Sequence, residues 1–490
     1  MMMIESWAST VVVIVCGIYT IYYALRMFNS WWYKPTLKKD SAPLPPGDMG
    51  WPFLGNMLSF LRAFKSTNPE AFISSFVSRF RRVGLYKAFM FGKPTILATC
   101  PEVCKLILMD DVHFIPGWPK SAVELIGSKS FVGITFEEHK RLRKLTAAPV
   151  TGNEVLSKYL TWIEQTVDSD LEKWSKMDKV DFLTHIRKLT FDIIAYIFLS
   201  NETNEEIMAL EREYTTLNLG VRAMAINLPG TAYNKALKAR KNLVAILQSM
   251  IDRRRAEQGG KEDKKVDMLD VLLKVKDQHG RLLEDEEIID LLVMYLNAGH
   301  ESSGHMTMWT VVFLLQNPEM YAKAKAEQED IVRRRPEGQK NLVYSELREM
   351  EYLHKVINES LRLVSFSSMV FREALDDVEL NGYTIPKGWR IQIWMRNVHL
   401  DPEVYPHPKK FDPERWENFV PKPGMFVPFG LGSRLCPGSD LAKMEICVFI
   451  HCMLLQYEIQ RLTPDCKVRY LPHPRPADNC PVRVRKLNSS

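Results

Sequence analysis

The segment Phe-Gly-Leu-Gly-Ser-Arg-Leu-Cys-Pro-Gly, residues 429–438, decides what this chain of 490 residues folds around. It places one cysteine, Cys436, in a loop in which Gly432 and Gly438 let backbone N–H groups approach the sulfur closely. Amide hydrogen bonds stabilise a thiolate, and a thiolate is a strong axial ligand for the iron of a haem. The loop therefore predicts a haem-iron ligand at Cys436. A buried free cysteine beside a glycine turn is the simpler alternative.

Two other side chains of the same segment strengthen that prediction. Phe429 is placed to cover the sulfur on one side, and Arg434 brings a cation two residues before Cys436. A dry pocket with a positive charge nearby favours the thiolate over the thiol. Because five residues are specified at fixed spacing, the pattern is far more specific than a lone cysteine.

Composition narrows the class of protein. The chain is 46% hydrophobic and 25% charged, with a formal net charge of +6, and it has no long basic tract that would indicate nucleic-acid binding. Its eight cysteines are scattered without a Cys-x-x-Cys pair, which excludes a disulfide framework and a zinc ribbon. Reduced thiols in a body that faces the cytosol are the better interpretation.

An apolar run from Trp7 to Leu25 contains no charged residue and is just long enough to cross a bilayer. Only Glu5 precedes it, whereas Arg26 and three lysines follow before residue 40. The positive-inside rule therefore predicts a single-pass anchor, residues 1–30, with the body on the cytosolic side. A cleaved secretory signal is disfavoured, because it would need basic residues before the run and small residues after it.

The rest of the chain shows no second linker. Residues 31–50 form a basic, proline-rich connection that includes the stiff spacer Pro43–Gly47. Residues 51–490 are expected to be one domain. A hairpin is predicted over 84–99, helices dominate from about 136, and strands return near 378–385 and 390–394. The polar run 258–265 is expected to be a surface loop.

Residues Asp285–Gln316 predict one helix of 32 residues, about 48 Å long. Its two halves are apolar nearly all round, so it must be buried. A second membrane span is excluded because Asp290 and Glu301 lie within it, and its centre reads Asn-Ala-Gly-His-Glu-Ser-Ser-Gly-His.

The polar centre of that helix is a candidate catalytic site. Gly299 would let a ligand approach the backbone, while Glu301 and Ser302 supply an acid and a hydroxyl side by side. Such a pair can order water and relay protons to oxygen at a haem. His300 and His305 are spaced five residues apart, which points them to different faces and argues against a metal site.

These motifs, in this order, resemble those of the cytochrome P-450 monooxygenases, a superfamily of haem-thiolate enzymes. The cysteine loop matches the family's Phe-x-x-Gly-x-Arg-x-Cys-x-Gly, and residues 298–303 match its Ala-Gly-x-Glu/Asp-Thr-Thr/Ser, with Ser302 where threonine is commoner. The resemblance implies a fold that is mainly α with small β-sheets. It also implies haem b as cofactor, with Cys436 as its metal ligand.

The resemblance assigns further residues. Glu359 and Arg362 match the family's Glu-x-x-Arg, and Arg415 matches the arginine of its aromatic-x-Pro-x-Arg segment; this network would be structural. Cations for the haem propionates would be Arg434, Arg372 and Arg143. His139 stands where the family has tryptophan, so its charge would depend on pH.

The same resemblance implies the electron source and the compartment. No Gly-x-Gly-x-x-Gly fingerprint is present, so no built-in dinucleotide domain is predicted. NADPH would act indirectly, through the NADPH–cytochrome P-450 reductase. The expected location is the endoplasmic reticulum membrane, with the catalytic domain in the cytosol.

The substrate follows from resemblance alone. Four segments resemble the plant ent-kaurenoic acid oxidases, a branch of the superfamily: 44–60, 131–149, 295–305 and 411–416. The implied activity is successive oxidation of an apolar diterpene acid at carbon 7, with ring contraction toward gibberellins. The alternatives are a triterpene oxidase resembling the β-amyrin 11-oxidases, a haem-thiolate isomerase or lyase, and a non-catalytic haem-binding membrane protein.

Overall fold

A computed structural model describes residues 2–147, 149–200, 202–221, 223–257, 267–471 and 473–487, with side chains from residue 13 onward. The predicted loop 258–265 lies outside these residues. The helices are α1 (Met2–Trp32), α2 (Met57–Lys65), α3 (Ala71–Phe80), α4 (Pro101–Met109), α5 (Lys120–Ile126), α6 (Phe136–Thr146), α7 (Asn153–Ser175), α8 (Phe182–Leu199), α9 (Asn204–Val221), α10 (Ala232–Ala256), α11 (Met268–Lys274), α12 (Asp285–Gln316), α13 (Pro318–Arg333), α14 (Tyr344–Glu349), α15 (Glu351–Val364), α16 (Met395–His399), α17 (Arg415–Asn418) and α18 (Ser439–Gln456).

The strands are few and short, which agrees with the predicted mainly helical fold. They are β1 (Leu85–Met90), β2 (Lys93–Ala98), β3 (Phe114–Pro116), β4 (Val180–Asp181), β5 (Val370–Ala374), β6 (Val378–Leu380), β7 (Tyr383–Ile385), β8 (Arg390–Ile393), β9 (Tyr457–Arg461), β10 (Val468–Arg469), β11 (Arg475–Pro476) and β12 (Pro481–Lys486). The hairpin predicted over 84–99 is the antiparallel pair β1–β2, and the strands predicted near 378–385 and 390–394 are also present.

The chain forms two compact units, each built from two separate stretches. The smaller unit contains residues 1–117 and 368–398. Its main sheet has the strand order β1-β2-β8-β5-β3, in which β2 and β8 are parallel and the other pairs are antiparallel. The non-helical spacer Pro43–Gly47 is attached to this unit, because Pro46 accepts a hydrogen bond from Lys87 N.

Aromatic side chains form the core of the smaller unit. Phe72 stacks on Trp394 with ring centroids 5.3 Å apart, and Phe60 meets the same indole edge-on at 6.2 Å. Such pairs stabilise beyond the area that they bury. They join α2 and α3 to the segment after β8.

The larger unit contains residues 118–367 and 399–490, and α12 lies in its hydrophobic core. The helix has the predicted bounds, and it begins with a capping box between Glu284 and Glu287. It ends at Gln316, because Asn317 leaves helical geometry and Pro318 begins α13. Buried residues occur on every face, so apolar packing against α8, α15 and α18 holds the helix in place.

Helix α1 covers the predicted anchor. Among the helices of the described residues, none is both long and apolar enough to cross a membrane. The side chains of residues 7–12, the first part of the predicted span, lie outside the described ones. From Val13 to Leu25 the large apolar side chains are exposed.

Candidate functional site

The cysteine loop is a tight turn that leads into α18. Gly430 and Gly432 have φ of 80° and 74°, a left-handed conformation that glycine adopts without steric cost. The backbone N–H of Cys436 donates to Phe429 O over 2.9 Å. This bond closes the loop and fixes the thiol next to the start of the helix.

The surroundings of Cys436 combine burial with two groups that favour a thiolate. Burial raises the pKa of the Cys436 thiol, whereas the N–H of Gly438 and the guanidinium of Arg143 lower it. Asp440, in the first turn of α18, raises it slightly. The thiol therefore lies in a dry position with one amide and one cation directed at it, as a thiolate ligand requires.

Arg434 joins the cysteine loop to the segment that precedes α6. Its two terminal nitrogens donate to Phe131 O at 3.2 Å and to Ile134 O at 3.3 Å. These bonds position the guanidinium two residues before Cys436. The structure thus brings Arg434 and the 131–134 segment together.

Helix α6 carries His139 and Arg143 one turn apart, so both project from one face. His139 is buried, with its ring 5.0 Å from that of Phe131. Arg143 is half-buried, and among the described residues it makes no ion pair or side-chain hydrogen bond. A guanidinium in this position can receive a carboxylate.

The acid at the centre of α12 is held by the helices beside it. The Glu301 carboxylate accepts from Arg187 Nη2 of α8 at 2.6 Å and from Asn218 Nδ2 of α9 at 3.3 Å. The imidazole nitrogens of His300 and His305 lie 3.7 and 3.8 Å from it. Glu301 is therefore a buried acid with several polar neighbours.

The hydroxyl of Ser302 is directed elsewhere. It donates to Ala298 O of its own helix at 2.8 Å, and no hydrogen bond between it and the carboxylate of Glu301 is present among the described residues. Consecutive helical residues point about 100° apart. The predicted acid and hydroxyl are thus adjacent in sequence, and a water molecule would be needed to connect them.

Solvent comes near Glu301 in a cavity lined by α8, α9 and α12. A cavity of 370 Å³ is lined by Arg187, Phe191, Tyr214 and His300 among others. The Arg187 side chain is 29% exposed, whereas that of Glu301 is 4% exposed. Arg187 therefore links a buried carboxylate to a water-accessible space.

Gly299 has a packing role that the sequence does not reveal. A Cβ at this position would lie 3.0 Å from Ile194 Cδ1 and 3.1 Å from its Cγ1, tighter than most real contacts. Glycine therefore lets α12 pack closely on α8. The approach of a ligand to Gly299 stays a prediction.

Glu359, Arg362 and Arg415 meet in the core of the larger unit. Arg362 donates twice to Glu359, at 2.9 and 2.7 Å, and Arg415 donates to the same carboxylate at 3.2 Å. The side chains of Glu359 and Arg362 are 0% exposed. Backbone carbonyls of His399 and Pro408 accept from the remaining Arg362 nitrogen. Glu359 and Arg362 are thus closed to solvent and the Arg415 side chain is 8% exposed, which suits a structural role.

Arg372 is in the smaller unit, on β5. It is buried, and burial lowers the pKa of its guanidinium. Nη1 donates to its own neighbour, Phe371 O, at 3.1 Å, and no described residue accepts from Nε. Its assignment to a haem propionate stays a prediction.

Sequence reasoning missed Arg187 and Asn218. They lie far from Glu301 in sequence, and no local pattern marks them among the 65 basic residues and the many amides of the chain. The only available signal was indirect, because a buried carboxylate needs a cation or several donors.

The residues around Cys436 fit a haem. The site offers one thiol for the iron, and the half-buried Arg143 offers a cation for a propionate. A Cβ at Gly438 would meet no described atom within 4 Å, so the protein's own packing does not require glycine there. A flat ring beside the sulfur would use that room. No group of three or more potential metal-ligating side chains occurs among the described residues.

Comparisons with known proteins agree with this geometry. Ent-kaurenoic acid oxidase 2 of Arabidopsis thaliana is 58% identical over 96% of this chain and 97% of its own length. The 7,8-epoxymelianol synthase CYP88A154 of Ailanthus altissima is 48% identical over 97% of each chain. The solved structure of cyanobacterial CYP120A1 with bound retinoic acid superposes with a TM-score of 0.81 at 29% identity, covering 91% of this chain and 100% of that one. The family model for cytochrome P450 matches residues 45–473. With these matches and a thiol loop suited to haem, the chain belongs to the cytochrome P450 family.

Proposed function

We propose that this cytochrome P450 oxidises ent-kaurenoic acid in successive steps at carbon 7, ending in ring contraction, in gibberellin biosynthesis. The observation that carries the proposal is the 58% identity to an ent-kaurenoic acid oxidase over nearly the full length of both chains. At such identity the fold and the site residues are expected to match closely. The rigid diterpene acid needs an apolar pocket with a single polar anchor.

The haem supplies oxygen activation when it is bound, with electrons that come from NADPH through a separate reductase. The chain's own contribution begins at Cys436, whose sulfur would hold the iron. Phe429 and the loop backbone exclude water from that sulfur. Gly438 N–H and Arg143 lower the pKa of that thiol, against the larger effect of burial, and so support its thiolate form when iron binds. Arg143, Arg434, His139 and Arg372 are the proposed propionate partners.

Proton delivery is assigned to the centre of α12. Glu301 holds a proton or releases it within a buried cluster, and Arg187 connects this cluster to the water-accessible cavity. Ser302 positions a water molecule on the oxygen side, since its hydroxyl is the adjacent polar group on the helix. Serine keeps the hydroxyl but lacks the methyl group that restricts the rotamer of threonine.

Helix α1 is proposed to anchor the enzyme in the endoplasmic reticulum membrane with the catalytic body in the cytosol. The exposed apolar side chains between Val13 and Leu25 support this, as does the excess of basic residues after the run. Extraction tests the proposal. Full-length protein should stay in the membrane pellet at alkaline pH, and a variant that starts at Pro43 should leave it. Release of both proteins would contradict an anchor.

A triterpenoid substrate is the second candidate. The relative that is 48% identical is named as a 7,8-epoxymelianol synthase, so chains this similar differ in the substrate that they accept. A neutral triterpene would need no cationic anchor, whereas a diterpene acid would gain from one. A hydroperoxide isomerase or lyase and a non-catalytic binding protein are disfavoured by the acid and hydroxyl at 301 and 302.

One assay separates these candidates. Microsomes that contain the protein and a reductase are given ent-kaurenoic acid, β-amyrin or a fatty hydroperoxide. We expect NADPH-dependent turnover of ent-kaurenoic acid. Turnover of β-amyrin alone would replace the diterpene assignment. Turnover of the hydroperoxide without NADPH would indicate a lyase, and no turnover with haem bound would indicate a binding protein.

A second experiment tests the ligand. Cys436→Ala should abolish the red-shifted absorption band of the ferrous carbon-monoxide complex, because that band requires thiolate ligation. Cys447→Ala is the matched control, since Cys447 is a buried free thiol of α18 outside the cysteine loop. Persistence of the band in the Cys436 variant would contradict the assignment.

A further inference from the structure

The imidazole of His300, at the centre of α12, is a proton-carrying group to which the proposed chemistry gives no role. It is buried, with its ring 5.5 Å from that of Phe191 on α8 and 5.0 Å from that of Tyr214 on α9. Both rings meet it edge-on, at 90° and 74°. The backbone is held as well, because Thr190 Oγ1 donates to His300 O at 2.9 Å. Contacts with two neighbouring helices therefore fix the place and the orientation of this ring.

The hydrogen bond of one ring nitrogen determines what the other nitrogen can do. Nδ1 of His300 lies 2.9 Å from Leu296 O, and a carbonyl oxygen only accepts, so Nδ1 carries a hydrogen. Nε2 is then the nitrogen that gains and loses a proton. It lies 3.7 Å from Oε2 of Glu301, so a small rotation of either side chain brings the two atoms within hydrogen-bond distance.

Two side chains connect the Glu301 carboxylate to the cavity of 370 Å³ between α8, α9 and α12. Arg187 and His300 both line that cavity and both approach the carboxylate, at 2.6 and 3.7 Å. An arginine keeps its proton throughout the physiological pH range, so Arg187 can hold the carboxylate in place but cannot pass a proton to it. An imidazole gains and loses a proton in that range. Of these two connections, only the one through His300 can carry protons.

We propose that His300 reloads Glu301 with protons taken from the cavity. The inference rests on the proposed role of Glu301 in proton delivery. A proton from cavity water binds to Nε2 of His300. The Nε2–H bond then breaks as this proton passes to Oε2 of Glu301, which has given its own proton to the haem side. The ring returns to the neutral form, with its Nδ1–H still bonded to Leu296 O. His300 acts through Glu301, so it is a positioning residue.

Turnover by the full-length protein in microsomes with reductase and NADPH tests the proposal. The amide of His300→Gln can still donate a hydrogen bond but cannot carry a proton. We expect this variant to form about tenfold less product per NADPH consumed, a smaller loss than for a direct proton donor because cavity water replaces part of the relay. The solvent isotope effect on product formation should rise, since proton delivery becomes the slow step.

His185→Gln is the matched control. His185 lines the same cavity, but its Nδ1 lies 3.0 Å from Asp181 O and its ring 5.8 Å from that of Trp174. Product per NADPH and the solvent isotope effect should both stay at the wild-type values. Equal losses in the His185→Gln and His300→Gln proteins would overturn the proposal, because any change in the cavity wall would then have the same effect.

A double-mutant cycle determines whether His300 acts through Glu301. In the Glu301→Gln protein, His300→Gln should cost less than about twofold, because the acid that it reloads is absent. A tenfold loss in both backgrounds would contradict the relay. Wild-type product per NADPH in the single His300→Gln protein would contradict it too, since water would then reload Glu301 directly.

The red-shifted carbon-monoxide band reports whether each variant holds haem. If the Gln protein loses this band, His300→Asn provides a second, smaller amide. Loss of the band in both variants would make His300 structural and would overturn the proposal. Failure of the proposed function is distinguishable, because the wild-type protein would then not oxidise ent-kaurenoic acid. The ratio of variant to wild type is in that case measured with the substrate that the wild type does oxidise.

Discussion

Two buried glutamates of the larger unit, Glu359 and Glu301, are each paired with an arginine, but their surroundings differ. Glu359 accepts from Arg362, Arg415, Trp416 Nε1 and the backbone of Asp412, and its arginine partner Arg362 is also fully buried. Glu301 has an arginine partner, Arg187, that is 29% exposed and lines a cavity. One ion pair is closed to solvent and the other is open on one side.

The difference shows how a glutamate–arginine pair can either stabilise the core or leave a carboxylate able to exchange protons. A closed pair has all its donors and acceptors satisfied inside the protein, so any change in protonation is costly. In an open pair, water can replace the arginine as the partner of the carboxylate. The carboxylate can then gain or lose a proton without unfolding the core. Burial of the arginine, rather than of the glutamate, distinguishes the two.

Removal of the closed pair should have the largest effect. Glu359→Gln leaves Arg362 buried without its ionic partner, and we expect a loss of about 3–5 kcal/mol in the free energy of unfolding. Urea unfolding followed by tryptophan fluorescence measures it. The matched control is Glu417→Gln, which breaks the exposed pair with Lys355 at 3.3 Å and should cost at most about 1 kcal/mol. Equal losses in both would remove the distinction between closed and surface pairs.

Glu301→Gln should leave the fold intact and reduce catalysis. We expect product formation to fall about 100-fold, the lower end of what a positioned proton donor contributes. The carbon-monoxide band should stay unchanged, which separates a catalytic from a structural effect. Glu211→Gln removes an acid that lines the same cavity and pairs with Lys188, and it serves as the control. Wild-type turnover of Glu301→Gln would show that proton delivery uses another route.

Glu445 sharpens the comparison, because it is a buried glutamate with no arginine partner. Burial raises its pKa to about 8 from the ordinary value of 4.5, so the folded protein holds its proton more tightly than the unfolded chain. Stability should therefore fall as pH rises through this window, by about 1.4 kcal/mol per pH unit relative to Glu445→Gln. Urea unfolding midpoints of both proteins at pH 5.5 and 7.5 measure the difference. Parallel pH profiles would contradict a neutral buried carboxyl.

The smallest effect concerns Ser302. Ser302→Ala removes one hydrogen-bonding group and should lower the product formed per NADPH consumed by about two- to tenfold. Ser302→Thr should match or exceed the wild-type ratio, because the added methyl restricts the hydroxyl rotamer. Ser302→Val has the methyl groups without the hydroxyl. If Ser302→Val forms as much product per NADPH as Ser302→Thr, packing rather than water positioning explains the role of Ser302.

Local patterns predicted those parts of the fold that depend on residues near one another in sequence. The bounds of α12 follow from apolar residues on all faces and from Pro318, and the hairpin β1–β2 follows from its turn. The cysteine loop was predictable for the same reason, since Phe429 and Cys436 share one closed turn.

Contacts between distant residues could not be predicted in this way. Arg187 is 114 positions before Glu301, and many other cations were equally plausible partners. Gly299 was interpreted as a point of ligand approach, whereas its packing on Ile194 depends on how two helices cross. Neither contact can be recognised in a single sequence, because each depends on which helix faces meet after folding.

The order of strands in the smaller unit has a consequence for biosynthesis. Strand β2 ends at Ala98, and its parallel neighbour β8 begins at Arg390, so the ribosome must add roughly 290 residues between them. At about 5–20 residues per second this takes about 15–60 s, during which the edge of the β1–β2 hairpin has no partner strand. An unpaired edge can associate with other chains. Slow translation or a low supply of chaperones should therefore reduce the yield of folded enzyme, while the molecules that do fold keep their activity.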